Sequence, residues 1–207
     1  PVEQVATPEG YARNPELVIN FYNERRKQLL DVVPNAGHLG VADLERDFNV
    51  TVVTQNVDNL HERAGSTHVI HLHGELTKVC SSRDPYNPHF VKELAPEEYE
   101  VKLGDKAGDG TQLRPFIVWF GESVPEIETA IRYVEQADIF VIIGTSLNVY
   151  PAAGLLNYVP RAAEVYLIDP KPVDTHVMRP IHVIQKGASE GVKELKALLT
   201  VTQPPLP

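Results

Sequence analysis

The chain has 207 residues, 43% of them hydrophobic and 23% charged, a composition typical of one globular domain or of one domain carrying a smaller module. Its net charge of −9 repels phosphate backbones, so no nucleic-acid partner is expected and a basic, lysine-bearing peptide is favoured. Cys80 is the only cysteine, which excludes an internal disulfide framework and a thiolate zinc cluster and indicates a reducing, cytoplasmic compartment. No apolar run approaches the roughly 18 residues of a membrane-spanning helix, so we expect no membrane partner.

The first predicted helix begins after Asn14, which can cap it, and Pro15 and Glu16 suit its first turn. Its apolar positions continue to about residue 30. Further helices are predicted to begin near residues 35, 59, 125 and 189.

Short apolar or β-branched segments between these helices predict strands. They are residues 50–54, 68–73, 116–120, 139–143, 165–168 and 182–184. The alternation with helices predicts an α/β fold, a Rossmann-like doubly wound parallel sheet with a smaller inserted module where the pattern degrades. The predicted organisation is a helical part of a small domain (1–34), a Rossmann-like domain in two parts (35–78 and 115–200), a small module (79–114) and a flexible tail (201–207).

Polar clusters follow three of the predicted strands, at the strand ends where parallel sheets bind their ligands. Their members are Gln55, Asn56 and Asp58, then Gly144, Thr145 and Ser146, then Asp169. Amide side chains both donate and accept hydrogen bonds, which suits a carboxamide and sugar hydroxyls, so the clusters predict a nucleotide site. The structural alternative is that Asp58 caps a helix beside solvated neighbours. The chain contains neither of the usual glycine-rich phosphate-loop patterns.

His71 and His73 lie two residues apart, on one face of a predicted strand that ends at Gly74. A histidine in a strand is more often structural than catalytic. The pair could also bind a metal with His61 or Glu75, although this spacing alone is weak evidence for a metal site.

Two other segments have both a structural and a functional interpretation. Residues 114–122 combine an apolar strand with a glycine at its end, and the simple interpretation is a core strand with a bulge. Tyr22 and Arg25 lie three residues apart on one face of the first helix, where the default interpretation is an exposed aromatic ring beside a solvated cation.

Taken together and in this order, these segments resemble the sirtuin family over nearly all of residues 1–199. Residues 54–61 resemble its nicotinamide-site motif, and residues 72–74 resemble its catalytic-histidine motif. Residues 118–122 resemble the strand that clamps the acyl-lysine peptide, and residues 144–146 the turn at the adenosine ribose. Four motifs in the same order rarely coincide by chance.

The resemblance implies NAD-dependent removal of acyl groups from protein lysines, giving nicotinamide and O-acyl-ADP-ribose. NAD is then a co-substrate, acylated-lysine proteins or peptides are the partners, and His73 is the general base that takes a proton from a ribose hydroxyl. The implied cofactor-binding residues are Gln55, Asn56, Asp58, Gly144, Thr145, Ser146 and Asp169, and the implied peptide-binding residues are Val118, Phe120 and Gly121.

Tyr22 and Arg25 resemble the Tyr-x-x-Arg pair of family members that remove acidic acyl groups. Arg25 would pair with an acyl carboxylate and Tyr22 would donate its hydroxyl proton to it. The resemblance therefore implies succinyl and malonyl substrates in addition to acetyl ones.

Three departures from the family pattern leave other functions open. The glycine-rich loop that binds the NAD pyrophosphate in the family is not found in this sequence and is expected before Pro1. Asp169 stands where the family commonly has an asparagine. Between Val79 and Leu113 only Cys80 represents the family's two cysteine pairs, so we predict no zinc there. The alternatives are a catalytically silent NAD or ADP-ribose module, a mono-ADP-ribosyltransferase and, last, a metal hydrolase.

Overall fold

A computed structural model describes residues 1–144, 152–172 and 179–201, so Thr145 and Ser146 of the predicted site lie outside the described residues. The chain forms two compact units. Unit 1 comprises Pro1–Val33, Thr54–Asn59 and His71–Glu126, and unit 2 comprises Pro34–Val53, Leu60–Ile70 and the chain from Ile127 onward. Within the described residues, no helix has both the length and the apolar composition that crossing a membrane requires.

The helices are α1 Val2–Val5, α2 Pro8–Arg13, α3 Pro15–Leu29, α4 Ala36–Asp43, α5 Leu60–Ala64, α6 Ile127–Val134, α7 Ala152–Leu155 and α8 Ala188–Val201. The strands are β1 Val52–Thr54, β2 Val69–His71, β3 Gly74–Ser81, β4 Val91–Glu93, β5 Leu113–Ile117, β6 Ile139–Ile143, β7 Glu164–Ile168 and β8 His182–Ile184. Short 3₁₀ turns lie at Leu44–Arg46, Pro88–Phe90, Pro96–Glu98 and Leu156–Tyr158.

Unit 1 is built on α3 and a three-stranded antiparallel sheet in the order β4-β3-β5. The predicted start of α3 is confirmed, because the Asn14 side chain accepts a hydrogen bond from the Leu17 N–H at 3.2 Å. One face of the helix is buried with the sheet in an apolar cluster of Val18, Tyr22, Leu76, Ile117 and Trp119. The sequence pattern did not predict this sheet, since β4 falls in the segment that looked irregular and β3 was not recognised as a strand.

Unit 2 contains a parallel sheet in the order β6-β7-β8, with Ile139–Ile143 of β6 paired to Glu164–Ile168 of β7. These three strands confirm the prediction of parallel strands to within one residue at their ends. Strand β7 is the most buried of them, and its side chains pack with those of α8. The core cluster consists of Leu44, Tyr166, Ile168, Ile184, Val192, Leu195 and Leu199.

Candidate functional site

The segment that follows β1 carries the first predicted polar cluster and is held by backbone hydrogen bonds within unit 1. The Thr54 carbonyl accepts from the Leu72 N–H at 2.9 Å, and the Val57 carbonyl accepts from the Leu76 N–H at 2.8 Å. The Thr54 hydroxyl accepts from the Asn56 N–H at 3.0 Å. These bonds place Gln55, Asn56 and Asp58 on a segment whose backbone is fixed beside the chain that carries His73.

Two side-chain atoms of this segment are buried without a hydrogen-bond partner among the described residues, Gln55 Nε2 and Asn59 Oδ1. An amide nitrogen donates and an amide oxygen accepts, and burying either one unpaired costs about 1–3 kcal/mol. A ligand with both hydroxyl acceptors and an amide donor would satisfy them. The ribose and carboxamide of NAD offer these groups, so this segment fits the co-substrate that the resemblance implies.

The two histidines of the His-x-His pair have different environments. His71 ends β2 and is buried, with Nδ1 3.1 Å from the Asn56 carbonyl oxygen, to which it can only donate, and Nε2 3.8 Å from the Glu75 carboxylate. His73 lies in the turn after β2 and is half-buried. The expectation that both lie in one strand ending at Gly74 is wrong, because β2 ends at His71 and β3 begins at Gly74.

Gly74 explains this turn. Its φ is +87°, a backbone conformation that favours glycine, and a Cβ there would lie 2.2 Å from the carbonyl oxygen of Phe116. The chain that carries His73 therefore packs directly on the backbone of β5. The carbonyl of His73 also accepts a hydrogen bond from the Val118 N–H at 2.9 Å.

The predicted peptide-binding residues follow β5, which ends at Ile117 instead of continuing to residue 120. Beyond the end of the strand, the Trp119 N–H donates to the Glu122 carboxylate at 2.8 Å. Val118 is half-buried, Phe120 is 69% exposed and Gly121 turns the chain at a φ of +91°. We call residues 118–121 the peptide segment.

Sequence reasoning assigned no role to the charged residues that flank the peptide segment. Arg114 and Glu122 form a buried ion pair, with side-chain exposures of 5% and 15%. An arginine inside an apolar strand, with a carboxylate eight residues later, was the available signal, because a buried charge requires a partner.

Tyr22 and Arg25 have different environments although they lie one turn apart on α3. Tyr22 is buried, its hydroxyl donates to the Val5 carbonyl at 3.0 Å and accepts from Trp119 Nε1 at 3.1 Å, and burial raises its pKa. Arg25 is exposed, with its guanidinium carbon 5.1 Å from the centre of the Phe21 ring. The default interpretation of Tyr22 as exposed is therefore wrong, and Arg25 is the group of the pair that faces solvent.

Unit 2 contains two further predicted residues, directly after β6 and β7. Gly144 follows β6 with a φ of +68°, and its N–H donates to the Ile168 carbonyl at 3.1 Å. The Asp169 carboxylate accepts from the Lys171 N–H at 2.8 Å, which shapes the turn after β7. Both residues lie at the carboxyl ends of parallel strands, as predicted.

A hydrogen-bonded network, which we call the Ser81 network, lies in the segment where the family pattern has cysteine pairs. The buried Ser81 hydroxyl donates to Asp109 at 2.5 Å and accepts from the backbone N–H groups of Arg83 and Asp84. Burial raises the pKa of Cys80 to about 12, which disfavours the thiolate that zinc requires. The absence of zinc stays a prediction, and these contacts support it.

The family follows from comparison of the whole chain with known proteins. Residues 1–151 match the model of the Sir2 family. The chain belongs to the Sir2 family. The sirtuin resemblance is thereby confirmed, and the Sir2 fold accounts for the α/β architecture with parallel strands.

Individual Sir2 proteins match most of the chain. An NAD-dependent protein deacylase of Bacteroides thetaiotaomicron is 83% identical over 199 residues, covering 96% of this chain and 85% of the relative. An NAD-dependent protein deacylase of Helicobacter pylori is 46% identical over 194 residues, covering 94% of this chain and 82% of the relative. A solved Sir2 homologue–NAD complex is 35% identical, with a TM-score of 0.79 over 96% of this chain and 77% of that one.

Proposed function

We propose that this Sir2 chain is an NAD-dependent protein-lysine deacylase in which His73 is the general base. The activity is the one named for relatives at 83% and 46% identity, and NAD is the co-substrate. The observation that supports the role of His73 is its position in a glycine-dependent turn, bonded through its carbonyl to the peptide segment. His71, at the end of β2 just before this turn, contacts the backbone carbonyl of Asn56.

Each group of residues in unit 1 has a role in this proposal. When bound, NAD supplies the ribose carbon that takes up the acyl oxygen as nicotinamide leaves. His73 takes a proton from a ribose hydroxyl, a task suited to an imidazole because base catalysis is most effective near the operating pH. Gln55 orients ribose hydroxyls through its buried Nε2, and Asn56 and Asp58 position nicotinamide and its ribose.

Unit 2 carries co-substrate residues of its own in this proposal. Gly144 and Asp169 directly follow neighbouring parallel strands, the position at which such sheets bind nucleotides. We assign the adenosine ribose to Gly144, Thr145 and Ser146, and further ribose contacts to Asp169, whose carboxylate can accept hydroxyl hydrogen bonds.

The proposed substrate is an acylated lysine in a protein or peptide. Val118, Phe120 and Gly121 contact it, and the exposed Phe120 ring offers the apolar surface that a lysine side chain requires. The net charge of −9 favours basic peptides over nucleic acid or anionic membranes. The cytoplasm is the compartment that we propose.

The role of His73 is tested by His73→Ala, assayed by mass spectrometry with acetyl-lysine peptide and saturating NAD. Loss of a general base lowers kcat by about 10²–10⁴-fold. His89→Ala is the matched control, because His89 is exposed in the same unit. Near-normal turnover by the His73 variant would remove His73 from the mechanism, provided that both variants melt like the unchanged protein.

We also propose that Arg25 gives the enzyme a preference for acidic acyl groups. Arg25 is exposed and stacked on Phe21, so its guanidinium is available to a carboxylate. The Tyr22 hydroxyl donates to the Val5 carbonyl at 3.0 Å, which does not fit the predicted donation to the acyl carboxylate, so the proposed contact is that of Arg25. A charge-assisted hydrogen bond is worth about 1.5–3 kcal/mol, or about tenfold to hundredfold in relative rate.

Comparing Arg25→Met with the unchanged protein on succinyl and acetyl peptides tests this preference. We expect succinyl activity to fall far more than acetyl activity. Lys27→Met removes another exposed cation of the same helix and should leave the ratio of succinyl to acetyl activity unchanged. Equal losses on both peptides would show that Arg25 supports the helix and does not select the acyl group.

A further inference from the structure

The buried ion pair of Arg114 and Glu122 binds backbone groups of the chain between its two members. Arg114 Nη1 and Nη2 each lie 3.2 Å from a different oxygen of Glu122, a bidentate arrangement. Nη2 also donates to the Ile117 carbonyl at 2.7 Å, and Glu122 accepts from the Trp119 N–H at 2.8 Å. The pair therefore fixes the backbone on both sides of Val118.

Aromatic rings surround the pair and exclude water from it. The guanidinium carbon of Arg114 lies 3.8 Å from the centre of the Trp119 ring, a cation–π contact. The Tyr86 hydroxyl donates to Glu122 at 3.0 Å, and burial together with the Glu122 charge raises the pKa of Tyr86. Both oxygens of Glu122 are thus engaged by groups of unit 1.

Stability alone does not explain such a pair. Taking two charges out of water costs about as much as their attraction returns, so apolar residues of the same size are often equally stable. The pair instead specifies the backbone conformation, because its hydrogen bonds to the Ile117 carbonyl and the Trp119 N–H are satisfied by one arrangement. That matters here because β5 ends at Ile117, and a continuous ladder is then replaced by single backbone hydrogen bonds, from the Val118 N–H to the His73 carbonyl at 2.9 Å and from the Phe120 N–H to the Ala6 carbonyl at 3.0 Å.

We propose that Arg114 and Glu122 are positioning residues that hold the peptide segment in the shape that receives the acyl-lysine substrate. This inference rests on the proposed function, in which Val118, Phe120 and Gly121 contact the peptide. The pair itself contacts no substrate and acts through the backbone carbonyl of Ile117 and the N–H of Trp119.

Loosening the segment should weaken binding of the peptide specifically. The free protein would sample several arrangements of residues 118–121, and the peptide would have to select one of them. Ordering costs of this kind oppose binding, so a rise of about tenfold in the peptide KM is expected. The NAD KM and kcat at saturating peptide should stay within about twofold.

Glu122→Gln is the principal variant, because it keeps the shape and one acceptor oxygen while removing the charge. Tyr86→Phe removes a single hydrogen bond to Glu122 and leaves the ion pair, so it should raise the peptide KM by a smaller factor, about twofold to threefold. If Glu122→Gln does not fold, the Tyr86 variant decides the question by the same kinetic measurement.

Arg26→Gln is the matched control. Arg26 is as buried as Arg114, at 4% exposure, and also lies in unit 1, but it binds the carbonyls of Tyr99 and Leu76. We expect it to lower the melting temperature without raising the peptide KM. Melting temperatures of all variants are measured beside the kinetics.

The outcomes separate this proposal from the function on which it rests. If the unchanged protein does not consume NAD and acyl-lysine peptide together, both are wrong. If it does, and Glu122→Gln or Tyr86→Phe leaves the peptide KM unchanged, only the positioning role is wrong. It is also wrong if Arg26→Gln raises the peptide KM as much, or if the NAD KM rises in parallel.

Discussion

Unit 1 and unit 2 bury different kinds of side chain. Among the residues that the structure describes, the buried polar or charged side chains of unit 1 are Asn23, Arg26, Thr54, His71, Ser81 and Arg114. Over the same described ranges, unit 2 buries one such side chain, Ser66. Its centre is the apolar cluster of β7, β8 and α8.

The difference corresponds to two physical tasks. Apolar burial is strong and has no preferred direction, so it stabilises a sheet without fixing any single group precisely. Hydrogen bonds require particular distances and angles, so buried polar groups fix individual backbone positions. Unit 1, which contains His73 and the peptide segment, uses buried hydrogen bonds to fix the backbone that carries the proposed chemistry.

The largest expected effect tests the apolar character of unit 2. Leu167 is fully buried in β7, and Leu167→Ala should lower the free energy of unfolding by about 2–5 kcal/mol through lost burial and a cavity. Leu198→Ala, at a 42% exposed position of α8, should change it by less than about 0.5 kcal/mol. Urea unfolding measures both. Similar values for the two variants would contradict an apolar core centred on β7.

The corresponding test in unit 1 is Asn23→Ala. The Asn23 side chain donates to the Val101 carbonyl at 2.8 Å and accepts from the Val101 N–H at 2.9 Å and from Arg26 at 2.6 Å. Its loss leaves buried groups unpaired, so we expect about 3 kcal/mol of destabilisation in urea. Asn20→Ala, exposed on the same helix, should cost far less. Equal effects would mean that the buried polar contacts of unit 1 contribute little.

A smaller effect is expected where α8 packs on β7. Ala forms helices better than Gly by about 1 kcal/mol, yet a Cβ at Gly191 would lie 2.2 Å from Ile168 Cγ2. Overpacking costs about 1–3 kcal/mol, so Gly191→Ala should lower the melting temperature. Gly154→Ala in α7 has no atom near the new Cβ and should leave or raise it. A more stable Gly191 variant would show that the helix can move away from the strand.

The smallest expected effect is the pH dependence of the Ser81 network. Hydrogen bonds from Ser81 and Thr111 lower the pKa of Asp109 to about 2, whereas an unfolded aspartate has a pKa of about 3.9. The stabilisation is therefore complete above about pH 4 and is lost as the pH falls through about 2. Asp109→Asn should lower the melting temperature above pH 4, and the difference should disappear near pH 2. A difference that stays the same at pH 2 would contradict the role of the Asp109 charge.

The sequence predicted unit 2 better than unit 1, for a physical reason. Residues 139–143 form a continuous apolar run, and such a run indicates a parallel strand without knowledge of its partner. Strand β3 gives no comparable signal, because polar residues interrupt its apolar ones along Gly74–Ser81. The antiparallel sheet was therefore missed.

The same reason explains which site residues were predicted. Gln55, Asn56 and Asp58 come directly after β1, so their position along the chain predicted a nucleotide site, whereas the role of His73 was predicted from the family resemblance. The burial of Tyr22 and the pairing of Arg114 with Glu122 depend on neighbours brought together by folding. Local sequence cannot show which hydroxyl or carboxylate a buried group will meet.

The close approach at Gly74 has a consequence for how this protein can change by mutation. The atom that excludes a side chain at position 74 is a backbone oxygen of Phe116, which every amino acid possesses. Replacing Phe116 therefore cannot relieve the collision, and no second-site substitution there would rescue a variant of Gly74. The constraint therefore falls on position 74 whatever residue occupies position 116.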